Sequence, residues 1–264
     1  MKKILITGAN GQLGRKLVKE FTKKLVKNKS QYQIIAKNKK ELNLLDQSNC
    51  EKIIFKYEPD WVINAAAYTN VDKAEKEFEI AYQTNAGGPK YLSKALLKTG
   101  GQLIHISTDY VFNGIQSFPY ETNSQRSPLN VYGKTKVEGE KAVEDLLFPE
   151  NRAKIIRTSW LIGPEGENFL TKMIKLIQTK ENLKIVEDQI SSPTTTLSLS
   201  RACIKVVFSE KSLHPEQNIM HWTDSGIASW FDVTKYIYKS CLSKNIFNSH
   251  CNIEPISSTD FPVC

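Results

Sequence analysis

The 264-residue chain has no stretch approaching the ~18 consecutive apolar residues that a membrane-crossing helix needs. Its first apolar run, Ile4 to Ile6, is too short for a secretory leader. The expectation is a cytoplasmic protein with no membrane partner. Cysteine is scarce: Cys50, Cys203, Cys241, Cys251 and Cys264 make an odd five with no CxxC spacing. That argues against a disulfide framework or a thiolate zinc site. Histidine is scarcer still. His105, His214, His221 and His250 form no HxxH or HExxH pattern, so no metal ligand is assigned. His105, inside an apolar strand, reads as a core residue. Clustered basic and aromatic residues are also missing. The formal charge is +8, but the lysines are dispersed, so nucleic acid is not the expected partner. A mildly positive surface suits ligands that carry diphosphates.

Apolar residues are not lacking. Hydrophobic residues make up 40% and charged residues 24%, enough for one large α/β domain or one domain with a small lobe. Residues 4–7, 32–36, 61–65, 103–107 and 154–157 read as short apolar strands. Between them, residues 13–25, 50–57, 74–97 and 131–147 carry helical periodicity, with a break expected around Gly87-Gly88-Pro89. Strand alternating with helix predicts βαβ units and a doubly wound, Rossmann-like parallel sheet, its strands covered on both faces. After about Gly163 the rhythm loosens. Residues 1–163 are therefore assigned to a dinucleotide-binding domain whose sheet later segments complete. Residues 164–264 are assigned mainly to a substrate-binding lobe, with helices expected at 169–178, 196–208 and 229–242.

Thr7 to Gly14 reads T-G-A-N-G-Q-L-G, between the first strand and the first helix. Gly8, Gly11 and Gly14 suit a tight turn, close backbone approach to a pyrophosphate, and close packing of helix on strand. The helix N-terminus offers unpaired N–H groups to phosphate. At the end of the second strand, an acidic residue would bind the ribose 2′-hydroxyl. Here Lys37 stands there, followed by Lys39 and Lys40. This favours NADPH and leaves NADH open.

Val131 to Lys136 reads V-Y-G-K-T-K, placing Tyr132 and Lys136 one turn apart on a helix. An ammonium beside a phenol favours the phenolate and brings its pKa down from about 10. Tyr132 is thus a candidate to give a proton to a carbonyl oxygen as hydride reaches carbon. Lys136 is also a candidate to hydrogen-bond the nicotinamide ribose. Ser107-Thr108-Asp109 closes an apolar strand at its carboxyl end, where open α/β sheets bind ligands. Thr108 can polarise the carbonyl there.

Together these segments resemble the extended short-chain dehydrogenase/reductases. The resemblance is closest to the dTDP-4-dehydrorhamnose reductases, through P-D-W-V-I-N-A-A-A-Y-T (59–69), V-D-K-A-E (71–75), I-S-T-D-Y-V-F-N-G (106–114), S-P-L-N-V-Y-G-K-T-K-V-E-G-E (127–140), R-T-S-W (157–160), N-F (168–169) and D-Q-I-S-S-P-T (188–194). It implies reduction of the 4-keto group of dTDP-4-dehydro-L-rhamnose by NAD(P)H, a step towards surface polysaccharide. It implies Tyr132 as proton donor, Lys136 as its partner, and Thr108 and Asp109 at the substrate. Gly11, Gln12 and Leu13 would hold the pyrophosphate, Asn43 and Leu44 would flank the adenine, and Ala65, Ala66 and Ala67 would line the groove. Trp160 would pack on the sugar ring, and a homodimer is implied. Some relatives hold a divalent ion between subunits, but no residue here is assigned to one.

The chain departs from the family pattern at Asn43, where Asp is usual, at Asn113, also Asp, and at Ser191, where Gly is usual. If that glycine needs positive φ, the loop is strained here. By the same resemblance the chain stops short, at Phe261-Pro262-Val263-Cys264. Two alternatives stand beside the reductase. One is another nucleotide-sugar enzyme of this fold, an epimerase or a dehydratase; Tyr110 stands where a dehydratase has Glu. The other is a non-catalytic regulatory subunit like that of methionine adenosyltransferase.

Overall fold

The computed structural model describes residues 1–28, 32–209, 217–247 and 250–260. His214 and the final four residues, on which the expectation of a short C-terminus turns, lie outside them. The chain opens with β1 (Lys2–Thr7), α1 (Gln12–Asn28), β2 (Tyr32–Ala36), α2 (Gln47–Tyr57) and β3 (Trp61–Asn64). It continues through α3 (Val71–Ala74), α4 (Phe78–Tyr82), α5 (Gly88–Thr99), β4 (Gln102–Thr108), α6 (Val131–Leu147) and β5 (Ala153–Thr158). Then follow β6 (Leu161–Ile162), α7 (Phe169–Thr179), β7 (Asn182–Val186), β8 (Ile190–Ser191), β9 (Thr194–Thr195), α8 (Thr196–Phe208), β10 (Ile219–His221), β11 (Ala228–Ser229), α9 (Trp230–Ser243) and β12 (Asn252–Ile256).

Six strands form one sheet in the order β10-β5-β4-β3-β1-β2, every pair parallel. The order reverses at β1, whose neighbours are β2 and β3. This is the switch point, where the loops after adjacent strands part and leave a crevice. Both faces are covered, which explains the largely apolar strand sequences. Leu5, Val62, Leu103 and Ile155 point to α2, α5 and α6, where Ile54, Leu92, Leu96 and Val143 complete a core. Ile4, Ile6, Ile63, Ile104 and Ile156 point the other way, onto Leu13, Leu17 and Phe21 of α1 and Leu199 and Cys203 of α8.

Two sequence expectations need correction. Residues 196–208 do not sit in the lobe: α8 packs beside α1 on the main sheet. Its periodicity shows an apolar face but not which partner covers it. The expected break at Gly87-Gly88-Pro89 is instead a π-helical turn, Gln83–Gly87, running directly into α5. Pro89 has no N–H to return to the preceding turn, and a widened turn accommodates that.

The lobe has its own core. Met173 and Ile177 of α7, Ile237 and Cys241 of α9, and Ile185 and Ile253 of β7 and β12 pack together. β12 pairs with β7 in parallel, β11 with β8 antiparallel, and β6 with β9 in parallel. Among the described residues, no helix is long and apolar enough to cross a membrane.

Candidate active site

A groove of about 240 Å³ opens at the switch point. Gly8, Asn10 and Gly11 after β1 form one wall, Leu42, Asn43 and Leu44 after β2 another, and Ala65, Ala66 and Ala67 after β3 the floor. The backbone must come close here. Gly8 has φ 62°, and a Cβ on it would stand 2.9 Å from Ala66 backbone atoms. A Cβ on Gly14 would stand 2.1 Å from the Gly8 carbonyl oxygen. This cradle of bare backbone, capped by the N-terminus of α1, fits a dinucleotide pyrophosphate. Leu13 faces the core, so it can offer only its backbone N–H. Gln12 donates from Nε2 to the Leu161 carbonyl oxygen at 3.3 Å, joining α1 to the lobe side.

Lys37 departs from expectation. Its ammonium pairs with Glu41 Oε1 at 3.3 Å and lies 5.0 Å from the Tyr57 ring centre, outside the groove lining. Lys39 lines the groove instead. The turn after β2 decides which lysine faces inward, and strand periodicity does not report that. Tyr68 and Thr84, also in the lining, were missed as well. Tyr68 is set by Asn85 on the π turn, whose Oδ1 accepts the Tyr68 N–H at 2.8 Å.

Asn130 caps α6, accepting the Gly133 N–H at 2.8 Å, so the helix begins just before Tyr132. Tyr132 is half-buried beside Tyr110, ring centres 5.5 Å apart and edge to face. The Thr108 hydroxyl faces that of Tyr132, near enough to oppose the rise in its pKa. Thr108 ends β4 and donates to Asp109 Oδ1 at 3.1 Å. Burial pushes Asp109 up to about 6, against hydrogen bonds from Thr108 and Ser191 that hold it down. Ser191 is not among the residues with positive φ. The strain expected from replacing the family's glycine does not arise, and its hydroxyl helps hold the Asp109 pKa down.

Lys136 is buried on the same face of α6, but its ammonium is not directed at Tyr132. It donates to the Ile106 carbonyl oxygen at 2.7 Å and stands 3.4 Å from His105 Nε2. Burial brings Lys136 down to about 8, opposed by the charge of Glu140. Tyr132 is pushed up, first by burial, with Asp109 and Tyr110 adding to the rise and the Thr108 hydroxyl opposing it. The expected lowering by Lys136 is absent because its long side chain runs back to β4. In the free protein Tyr132 is therefore held in its protonated form, the form from which a donor starts, though the raised pKa makes it a weaker acid.

Glu140, one turn further on, is fully buried. It accepts Ser107 Oγ at 2.5 Å and both Nε and Nη2 of Arg157, at 2.9 and 2.8 Å. The four-residue spacing from Tyr132 to Lys136 continues through Glu140 and Glu144, and it is the one sign of Glu140 in the sequence. A larger hollow, about 640 Å³, lies beside the 122–128 loop and α6. It touches neither the glycine loop nor Thr108, Tyr132 or Lys136, and its Arg126 and Arg157 are already paired with Glu140 and Glu144.

Trp160, in the turn after β5, has φ 42° and stacks on Trp230 with ring centres 3.4 Å apart. One of its faces is thus taken by protein, leaving only the other for a sugar. Among the described residues, no group of three His, Cys, Asp or Glu side chains could hold a metal.

Known proteins resemble this chain over most of its length. It is 42% identical over 232 residues to the spore coat polysaccharide biosynthesis protein SpsK of Bacillus subtilis, covering 88% of this chain and 77% of that protein. It is 36% identical over 265 residues to dTDP-4-dehydrorhamnose reductase of Aggregatibacter actinomycetemcomitans, covering 99% and 87%. The crystal structure of dTDP-4-dehydrorhamnose reductase from Bacillus anthracis in complex with NADP superposes with a TM-score of 0.88 at 36% identity, covering 100% of this chain and 87% of that one. A UDP-glucose 4-epimerase from Thermotoga maritima, 18% identical with a TM-score of 0.78, shares the fold alone. Residues 1–264 match the family described as RmlD substrate binding domain, and the chain belongs to that family.

Proposed function

We propose that the chain reduces dTDP-4-dehydro-L-rhamnose to dTDP-L-rhamnose with NADPH. The observation that carries this reading is the backbone cradle built for a dinucleotide, with Thr108 and Tyr132 side by side next to it. Relatives at 36% identity, with sequence and structure matched over nearly the whole chain, bear names for this reaction, and one holds NADP. Lys39 on the groove and no acid at the end of β2 support NADPH over NADH.

In this reading Gly8, Gly11 and the first backbone N–H groups of α1 hold the pyrophosphate. Asn43 and Leu44 hold the adenine end, and Ala65, Ala66 and Ala67 the floor. The bound cofactor supplies a hydride to the carbonyl carbon. Thr108 turns its hydroxyl from Asp109 onto the carbonyl oxygen and orients it. Tyr132 gives that oxygen its proton, and Lys136 swings its ammonium from the Ile106 carbonyl oxygen towards the resulting phenolate and the ribose. Ser191 on Asp109, and the open face of Trp160, hold the sugar end. The cysteines among the described residues are free, which suits a reducing compartment, and the reading places the enzyme in the cytoplasm. The homodimer belongs to the same proposal and is read by sedimentation.

The test is NADPH and NADH oxidation by the purified chain, with the keto-sugar generated in situ. Turnover with a preference for NADPH supports the reading. NADPH binding without turnover of this sugar overturns it, and then copurification with a synthetase tests the regulatory-subunit alternative.

A further inference from the structure

Behind Lys136 lies a buried group that the reaction above does not use. His105 sits in the middle of β4, fully buried. Its Nε2 is 3.4 Å from Lys136 Nζ, and its Nδ1 is 3.2 Å from Asn64 Nδ2 on β3. Asn64 Oδ1 accepts the Thr7 hydroxyl at 2.7 Å, on β1. Thr7 Oγ1 in turn accepts the Ala66 backbone N–H at 3.1 Å. Each contact crosses to the next strand, so one polar line runs through the sheet from α6 to the cofactor groove. Thr7 immediately precedes Gly8, and Ala66 lines the groove floor.

A line of this kind is costly unless each member is satisfied, because unpaired polar groups in a dry interior are penalised. A neutral imidazole has one N–H and one lone pair. Burial and the nearby Lys136 charge hold His105 well below its ordinary range, so the ring stays neutral. The orientation of the Asn64 amide then chooses the tautomer. With Nδ2 donating to Nδ1, the ring proton sits on Nε2 and faces Lys136. With the amide reversed, its Nδ2 donates to Thr7 Oγ1, Nδ1 of the ring carries the proton, and Nε2 is free to accept from the ammonium; this second arrangement is the one that holds Lys136 as its ammonium. The state of Lys136 is therefore tied to the orientation of Asn64, and Asn64 to the hydroxyl at the root of the glycine loop.

We propose that His105 is a positioning residue that aligns the Lys136 ammonium and couples it, through Asn64 and Thr7, to the seating of the dinucleotide in its groove. This rests on the reading of the groove as an NADPH site.

The experiment is a double-mutant cycle on NADPH affinity, measured by fluorescence titration of the whole chain, which needs no sugar. His105→Gln keeps a polar atom near the Nε2 position; His105→Asn keeps one near Nδ1. Each is measured alone and with Lys136→Met, alongside thermal midpoints of the free proteins. The expected result is NADPH binding weakened about fivefold by either His105 variant, and by much less once Lys136 is Met, as for residues sharing one network. Thr7→Val, which keeps shape and removes the hydroxyl, serves as a second entry to the line and should show the same dependence on Lys136. Wild-type affinity in the His105 variants overturns the proposal. So does a loss of the same size with and without Lys136, since His105 would then act on folding alone. If the His105 variants do not fold, the Thr7→Val cycle decides by the same two outcomes. Wild-type protein that binds NADPH but leaves the keto-sugar untouched refutes the reductase reading, while the cycle still judges His105.

Discussion

Trp160 and Trp230 lie face to face, ring centres 3.4 Å apart and planes 7° apart. Trp160 lies just past the end of β5, and Trp230 opens α9, so this stack pins the lobe to the carboxyl end of the sheet. Phe169, first in α7, meets Trp230 from another side at 4.1 Å. Trp160 has a left-handed backbone, φ 42°, a conformation costing about 1–3 kcal/mol that survives only where packing over-determines it.

Trp230→Ala should therefore act on the sugar and spare the cofactor. Without its partner, Trp160 is free to leave its strained conformation. The KM for the keto-sugar should rise about tenfold, the equivalent of ~1.4 kcal/mol, with NADPH affinity unchanged. Steady-state kinetics and a separate NADPH titration make the measurement. An equal loss of both affinities would mean that the stack supports the whole fold and not the substrate side.

Tyr132→Phe should remove the proton donor and little else. The ring keeps its edge-to-face contact with Tyr110, and Thr108 keeps Asp109. The expected loss in kcat is about 10²–10⁴-fold, the range for one general acid, with NADPH binding retained. If both disappear together, Tyr132 is a structural residue. Appreciable remaining turnover would pass the proton to another group, and Thr108→Val would then be the variant to examine.

The strands were legible because β1, β3 and β4 are buried on both faces and read as mostly apolar runs. β10 was not: three residues, Ile219–His221, carry no period. The destination of α8 was equally hidden, since an apolar stripe fits a lobe or a sheet. In the site, the glycine loop and the Tyr132–Lys136 spacing were visible because backbone chemistry demands them. The partners of Lys136 were not, since a charged residue on a helix reads as solvated. Position in the sequence points to Lys37, which lies nearest the strand end. Only the fold shows Glu41 drawing it aside.

The pH dependence should centre on Lys136. Its folded value, about 8, lies below its ordinary 10.5. Between these values the native state binds fewer protons than the unfolded chain, so this group's contribution to stability rises with pH. Below about pH 8 the buried ammonium costs the fold. Lys136→Met should therefore gain stability over wild type at pH 7, and the gain should shrink towards pH 10. Activity should run the other way, falling above about pH 8 as the ammonium is lost. Urea unfolding and kcat across the same pH series check both. A constant stability difference, or activity flat through pH 9, would show that Lys136 does not titrate there.

Glu140 is the charge whose removal should harm the fold most. It is wholly buried and takes a two-pronged grip from Arg157, which is itself 3% exposed. Arg126 adds an ion pair, its Nε 2.7 Å from Glu140 Oε2 though not aligned as a hydrogen bond, and also pairs with Glu144. Ser107, next to Thr108, donates to the same carboxylate. Replacing Glu140 by Ala leaves the Arg157 guanidinium buried without its counter-charge, at a cost of about 3–5 kcal/mol. Glu140→Gln should cost less, because it keeps the volume and one acceptor for Ser107. Both are measured as shifts in the urea midpoint. The cause can be isolated with Glu140→Leu and Arg157→Met combined: a double variant more stable than Glu140→Ala identifies the stranded charge as the source of the loss. A double variant that is worse still would locate the loss in packing around β5, and Ser107 and Thr108 would then owe their placement to the sheet alone.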